Sequence, residues 1–215
     1  MEEKFVSIFP YNGNQYLHNI AFDSKKNKGI ERTIFLKLRD FLKKRNIILN
    51  TYDVEISNPV YRYVYYDLPY PWNFKAWKKI ITNRQKNILI SFEPPVIIPF
   101  NYMKIFHLFF VKVYTWHEVM VDDKKYFKIL WPQSSSGIGT RPKKFNKKKF
   151  LVFINKNTSP FLPFKLLSSF GMELYSERIR AISFFESKIP NKFSLYGRGW
   201  NKQKKYSYLQ KDHLN

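Results

Sequence analysis

Short apolar runs of strand length alternate with amphipathic helical segments along the first 130 or so residues of the chain. Strands are predicted at residues 5–9, 47–51, 61–67, 88–90, 110–115 and 126–131. Helices are predicted at residues 31–45, where apolar side chains recur at i, i+3 and i+4 spacing, and at 73–85 and 101–106. This alternation predicts an α/β fold, doubly wound around a mainly parallel sheet.

A polar, lysine-rich stretch interrupts the pattern at residues 133–149 and predicts a basic linker. The alternation then restarts with a strand at 150–154, a helix at 173–186 and a strand at 192–196. We therefore expect an N-terminal domain at residues 1–132 and a second domain at residues 150–215. A single βαβ unit is too small for an independent sheet, so the second domain is expected to be only the first part of one.

The chain is strongly basic, with a formal net charge of +22 at pH 7 over 215 residues. Such a field attracts polyanions, whether nucleic acid, anionic lipid or the phosphates of a nucleotide. A soluble surface built largely from lysine would produce the same charge. Charge alone therefore leaves the partner open, including a peripheral contact with an anionic membrane.

The composition also excludes some classes of protein. There is no cysteine, which excludes disulfides, thiol nucleophiles and cysteine-ligated zinc. No apolar run approaches the roughly 18 to 20 residues that span a bilayer. The charged start is unlike a secretory signal, so a cytoplasmic location is expected. The four histidines show no spacing typical of metal ligands.

Glu93 is the first candidate for chemistry. It follows the predicted strand at 88–90 and precedes Pro94 and Pro95, which cannot extend a sheet. Ligands of open α/β sheets bind beyond the carboxyl ends of the strands, so a carboxylate there is well placed to act as a general base. The alternative is a turn or helix-capping acid paired with a nearby lysine.

Arg178 is the second candidate. On a helical wheel of residues 173–186 it falls within an apolar face formed by Leu174, Tyr175, Ile179, Ile182 and Phe185, whereas Arg180 points to the opposite side. An arginine on a buried face needs an anion or carbonyl groups. The partner could be Glu173, Glu186 or a ligand phosphate, and the side chain could also snorkel to the surface.

Two further segments offer weaker signals. Gly197 and Arg198 follow the predicted strand at 192–196, and backbone amides with a guanidinium can bind a diphosphate there, although most such loops are only turns. Residues 61–66 interleave aromatic side chains with an arginine, as platforms for single-stranded nucleic acid do. An ordinary sheet strand has the same pattern, and we favour that interpretation.

Together these segments resemble the family-10 glycosyltransferases, the α-1,3/1,4-fucosyltransferase family. Three stretches carry the resemblance: Ser-Phe-Glu-Pro-Pro at 91–95, the runs at 110–116 and 125–132, and the series from 150–157 through 173–182 to Leu-Tyr-Gly-Arg-Gly-Trp at 195–200. The similarity extends over most of the chain and is least defined in its N-terminal third. The order and spacing of the stretches carry it.

The resemblance implies a GT-B arrangement, in which two Rossmann-like domains face a cleft. The N-terminal domain would receive the acceptor glycan, and the C-terminal domain would hold GDP-fucose as donor substrate. It further implies an inverting transfer without an obligatory metal or other cofactor. Glu93 would be the general base, and Arg178 would contact the donor diphosphate, with Arg198 and Gly197 as weaker candidates.

The sequence departs from the family pattern at two places. The family's glutamate precedes Ser-Pro, whereas Pro94 follows Glu93 here. Family members also continue into a Phe-Glu-Asn strand and a Tyr-x-Thr-Glu-Lys helix, and this sequence ends at Asn215 without either. We therefore expect a truncated, incomplete donor-binding domain. The alternatives to a transferase are a non-catalytic glycan-binding or partner subunit and a basic nucleic-acid-binding protein.

Overall fold

The computed structural model describes residues 3–10, 16–27, 32–55, 57–130, 144–159, 161–167 and 174–200. The chain divides into two compact units, Met1–Ser136 and Gly137–Asn215. Most of the predicted linker, residues 133–143, lies outside the described residues. Each unit is an α/β structure and is described separately.

The first unit is built on a six-stranded sheet in which every neighbouring pair of strands is parallel. Its strands are β1 (Lys4–Phe9), β2 (Ile47–Thr51), β3 (Val60–Tyr66), β4 (Asn87–Ser91), β5 (Lys112–Thr115) and β6 (Tyr126–Lys128). They lie in the order β2-β1-β3-β4-β5-β6. The chain therefore reverses its direction of travel across the sheet at β1, which makes the β1/β3 boundary a topological switch point.

Two helices belong to this unit, α1 (Arg32–Lys43) and α2 (Phe74–Thr82). Both are amphipathic: α1 buries Phe35 against the sheet, and α2 buries Trp77 and Ile80. Side chains at the centre of the sheet are fully enclosed, as Ile8, Leu89 and Val113 show. The six strands thus have a continuous apolar core, which holds their carboxyl ends in fixed positions.

The helix predicted at residues 101–106 is wrong. The segment forms two short 3-10 turns, Pro99–Tyr102 and Phe106–Phe109, and Met103 after the first turn has extended backbone angles. Buried polar side chains explain the difference, because Asn101 and His107 bond to loop groups and hold the chain in this irregular path. Residues 61–66 form β3 within the sheet, as favoured above.

The second unit pairs β7 (Leu151–Ile154) with β8 (Phe193–Tyr196) in parallel. Between them lie α3 (Leu162–Leu167), which the sequence did not predict, and α4 (Leu174–Lys188). A small core of Ile182, Phe193, Leu195 and Trp200 joins α4 to the strands. This unit has the βαβ pattern expected from its sequence, with one additional short helix.

The apolar face predicted for α4 is only partly correct. Ile182 is fully buried and Phe185 packs against the core, but Leu174 is 76% exposed. The buried positions follow an i, i+4 stripe instead, running from the half-buried Arg178 through Ile182 to Glu186. Arg180 is exposed and forms an ion pair with Glu177, in agreement with the predicted wheel.

The parallel six-stranded sheet with its helices is compatible with a Rossmann-like fold. Among the described residues, no helix is both long and apolar enough to cross a membrane.

Candidate functional site at the carboxyl edge of the first sheet

Glu93 lies two residues beyond the carboxyl end of β4, on a backbone turn that four hydrogen bonds hold. The amides of Phe92 and Glu93 donate to Asp67 Oδ1 at 2.7 and 3.0 Å. Trp116 Nε1 donates to the Phe92 carbonyl at 3.0 Å, and the Tyr102 hydroxyl donates to the Glu93 carbonyl at 2.9 Å. The backbone that presents the Glu93 carboxylate is therefore rigidly positioned.

The Glu93 carboxylate itself has neither an ion pair nor a hydrogen bond among the described residues, and the side chain is half-buried. Among the described residues, Glu93 is therefore not a turn acid paired with a lysine. A carboxylate that the fold positions but does not neutralise can accept a proton from a bound molecule.

Asp67 is the second acidic group at this edge. It follows β3 directly, is 4% exposed and has a left-handed backbone with φ of 61°. Its Oδ1 atom also accepts a hydrogen bond from Asn101 Nδ2 at 2.5 Å. Burial raises the pKa of Asp67 to about 6, the charge of Glu93 acts in the same direction, and the hydrogen bonds to Oδ1 only partly offset them. The Glu93 carboxylate is therefore close enough to act electrostatically on Asp67.

A buried polar network supports Asp67 from behind. Asn101 Oδ1 accepts from the Leu68 amide at 2.8 Å, and the Asn101 carbonyl lies 2.9 Å from His107 Nε2. His107 Nδ1 lies 3.2 Å from the Tyr126 hydroxyl, and burial lowers the pKa of His107 to about 4, so its ring is neutral at pH 7. The network ties the ends of β3 and β4 to β6 without adding a buried charge.

A cavity of about 280 Å³ opens beside Asp67. It lies where β1, β2 and β3 end, and its lining includes Phe9, Tyr52, Tyr65 and Asp67. This is the switch point at which open parallel sheets bind their ligands. Among the described residues, Glu93 does not line this cavity. Its backbone amide, however, donates a hydrogen bond to Asp67, which does line it.

In the second unit, Arg178 is half-buried on α4, and its guanidinium carbon lies 4.9 Å from the centre of the Tyr175 ring. Among the described residues Arg178 has no ion pair, and Glu173, one of its predicted partners, lies outside them. Stacking on an aromatic ring orients a guanidinium while leaving its N–H groups available to an anion.

Gly197 and Arg198 lie in a loop after β8 that is bonded to the residues following β7. The Asn155 amide donates to the Tyr196 carbonyl at 3.0 Å and the Asn157 amide to the Arg198 carbonyl at 2.8 Å. A Cβ atom on Gly197 would lie 1.8 Å from the Asn155 carbonyl oxygen, and its φ of 129° also requires glycine. Glycine here has a structural reason, while the Arg198 side chain is exposed.

The described residues contain no cluster of three histidine, aspartate or glutamate side chains that could hold a metal ion. The sequence prediction overlooked Asp67, Asn101 and His107. The strand predicted at residues 61–67 includes Asp67 as its last residue, but an aspartate before Leu68 and Pro69 is also typical of a left-handed turn residue. Asn101 and His107 have no comparable local signal.

Comparisons of the chain with models of known protein families, with curated proteins and with solved structures found no match.

Proposed function

We propose that the protein is an inverting glycosyltransferase that moves fucose from GDP-fucose to a hydroxyl group of an acceptor glycan. The resemblance of three ordered stretches to family-10 glycosyltransferases supports this reaction, and so does a parallel α/β fold with acidic groups at its carboxyl edge. The observation that carries the proposal is Glu93, a carboxylate without an internal partner on a backbone turn held by four hydrogen bonds.

In the proposed reaction Glu93 accepts the proton of the acceptor hydroxyl while the hydroxyl oxygen attacks the anomeric carbon of fucose. The bond between that carbon and the diphosphate oxygen breaks, GDP leaves with the bonding electrons, and the anomeric configuration inverts. Asp67 and its partners position the turn, so that the base needs little reorganisation during the reaction. No metal or other cofactor is assigned a role.

The proposal assigns the donor diphosphate to the second unit. Arg178 would pair with phosphate oxygens, because its guanidinium lies on Tyr175 with no acidic partner among the described residues. Arg198 is exposed on the loop after β8 and would contribute a second charge, whereas Gly197 has a structural role, because the Asn155 carbonyl occupies the space beside it.

The test of the base is fucose transfer from GDP-fucose to a panel of glycans. Glu93→Gln keeps the size of the side chain and removes the proton acceptor, so the rate should fall by about 10²- to 10⁴-fold. Glu118→Gln, which alters an exposed acid of the same unit, is the control and should transfer normally. Equal rates for Glu93→Gln and the unchanged protein would show that Glu93 is not the base.

The donor assignment is tested by calorimetry with GDP-fucose. Arg178→Ala should weaken binding by about tenfold or more, whereas Arg180→Ala, which changes the outward-facing arginine of the same helix, should leave it unchanged. Binding of glycans without any binding of GDP-fucose would instead favour a non-catalytic glycan-binding protein. Steeply salt-dependent binding of DNA or RNA would favour a nucleic-acid-binding protein.

A further inference from the structure

The switch-point cavity beside Asp67 is lined by three kinds of surface, and each suits a different part of one ligand. The first is aromatic. The Phe9 ring is stacked between Tyr52 and Tyr65, with ring centres 4.2 Å apart on both sides and planes within 13° of parallel. Both faces of the Phe9 ring are therefore covered, and the half-buried Tyr52 is the member of this stack that offers apolar surface to the C–H groups of a sugar ring.

The second surface is polar and incompletely satisfied. Asp67 Oδ2 and the Tyr65 hydroxyl are both buried without a hydrogen-bond partner among the described residues, and both residues line the cavity. Tyr65 is 1% exposed and Asp67 4% exposed. Buried polar atoms without partners are costly and uncommon, which indicates that a bound molecule completes their bonding. Ligand hydroxyl groups could donate to Asp67 and pair with Tyr65.

The third surface is cationic. Lys75 and Lys79 lie one turn apart on α2 and line the cavity together with Asn73, whose side chain caps the helix. Lys79 Nζ lies 5.2 Å from the centre of the Tyr52 ring, so its charge is at the aromatic wall. Neither lysine has an ion pair among the described residues, although both also border a shallower depression that contains Asp53 and Glu55. The amide end of α2 adds a favourable field for an anion.

We propose that this cavity binds an acidic sugar residue, with hydroxyl groups on Asp67 and Tyr65, its ring against the aromatic wall, and its carboxylate or phosphate on Lys75 and Lys79. At about 280 Å³ the cavity is smaller than the roughly 300 to 1,000 Å³ that drug-sized ligands occupy, which suits a single sugar residue. The inference rests on the proposed transferase function and names its acceptor class, a glycan that carries a negative charge.

The test is direct binding, measured by calorimetry or ligand-observed NMR, with glucuronate, glucose 6-phosphate and methyl glucoside as probes. The two acidic sugars should bind at least about tenfold more tightly than the neutral one. The double variant Lys75→Gln and Lys79→Gln should remove that advantage. Lys78→Gln, which changes an exposed lysine of the same helix outside the cavity lining, should keep it.

Three further arms make the outcome decisive. Inorganic phosphate and acetate test whether the cavity is only a general anion site. The proposal would be overturned if either anion bound as tightly as the acidic sugars, or if methyl glucoside bound as tightly as they do. Glucuronate against glucose 6-phosphate shows whether carboxylate or phosphate is preferred. Tyr52→Leu should weaken all sugars by about tenfold without affecting acetate, since it removes the outer ring of the aromatic stack.

The measurements are independent of transfer. If the acidic sugars still bind to the Glu93→Gln variant and the protein does not use GDP-fucose, the proposal for the cavity is upheld and the proposed transferase function is refuted. Transfer to neutral glycans at the same rate as to acidic ones would uphold the transferase and refute the cavity.

Discussion

The two units are built from the same kind of βαβ pattern but differ in how completely they bury it. In the first unit Leu89 and Val113 have no exposed surface, because helices and turns cover the sheet. In the second, β7 directs Leu151 and Phe153 into the core while Val152 and Ile154 are 40% and 69% exposed. Side chains alternate between the two faces in both sheets. Among the described residues, however, only the larger sheet has both of its faces covered.

The difference explains where buried polar chemistry can be held. Asp67, Asn101 and His107 are fixed deep within the first unit, where burial shifts the pKa values of Asp67 and His107. The second unit offers Arg178 and Arg198 at half-buried and exposed positions, where no comparable core surrounds them. The first unit therefore holds Asp67 and His107 at shifted pKa values, whereas the second buries Glu186 on α4 and presents its two candidate cations at half-buried and exposed positions.

The two units should differ most when one strand side chain in each sheet is shortened to alanine. Leu89→Ala should lower the free energy of unfolding of the first unit by about 2 to 5 kcal/mol, because it leaves a cavity in an enclosed core. Val152→Ala should cost the second unit less than about 1 kcal/mol, because the side chain is already partly in water. Urea unfolding of both variants measures this, and equal losses would show that the sheets are equally buried.

Gly197→Ala tests whether the second unit depends on backbone contact more than on its core. The new Cβ atom would collide with the Asn155 carbonyl, and alanine disfavours a φ of 129°, so a loss on the order of 3 kcal/mol is expected. Hydrogen exchange at Leu195 should accelerate while exchange at Leu89 does not change. Gly199→Ala, whose φ of 89° is also unfavourable for alanine but whose nearest contact would be 3.3 Å, is the control that lacks the collision. Unchanged exchange at Leu195 would contradict this role of Gly197.

Asp67→Asn tests the buried acid of the first unit. Its pKa in the folded protein is about 6, above the ordinary value of 3.8, so the folded state binds the proton more tightly than the unfolded state. This contribution to stability is fully present below about pH 4 and declines as the pH rises to about 6, by about 2 to 3 kcal/mol in total.

Asparagine tolerates the left-handed backbone and cannot ionise, so the variant should lack this decline. The decline in stability is measured by the midpoints of urea unfolding at pH 4.5 and pH 7.5, for the variant and for the unchanged protein. If the variant and the unchanged protein lose stability in parallel between these two values, the decline does not originate at Asp67.

The smallest effect is expected on the surface of α4. Arg180→Ala removes an exposed i, i+3 ion pair with Glu177, which should change the free energy of unfolding by less than about 0.5 kcal/mol. Thermal unfolding at low and high salt would measure it. A loss above about 1 kcal/mol would mean that the second unit depends on its surface charges, unlike the first.

Much of the architecture could be read from the sequence because its signals are local. The strand at 47–51 was predicted with its observed bounds, and the helix predicted at 173–186 lies within two residues of the observed Leu174–Lys188. The short helix α3 and the two 3-10 turns were missed because pieces of four to six residues have too few positions to show a period. The helical wheel places Leu174 on the buried face because it considers only which side chains are apolar. In the structure, the positions that pack against the core lie along the stripe through Ile182 instead.

Local sequence signals specify the alternation of strands and helices, the end of β4 before the prolines, and therefore the edge at which Glu93 emerges. The surroundings of that edge depend on contacts between distant parts of the chain. Asp67 meets the Phe92 and Glu93 amides across 25 and 26 residues and Asn101 across 34, and the cavity beside it needs the ends of three strands. Local periodicity reflects the few residues of one turn or one pleat, whereas these contacts exist only after the sheet has assembled.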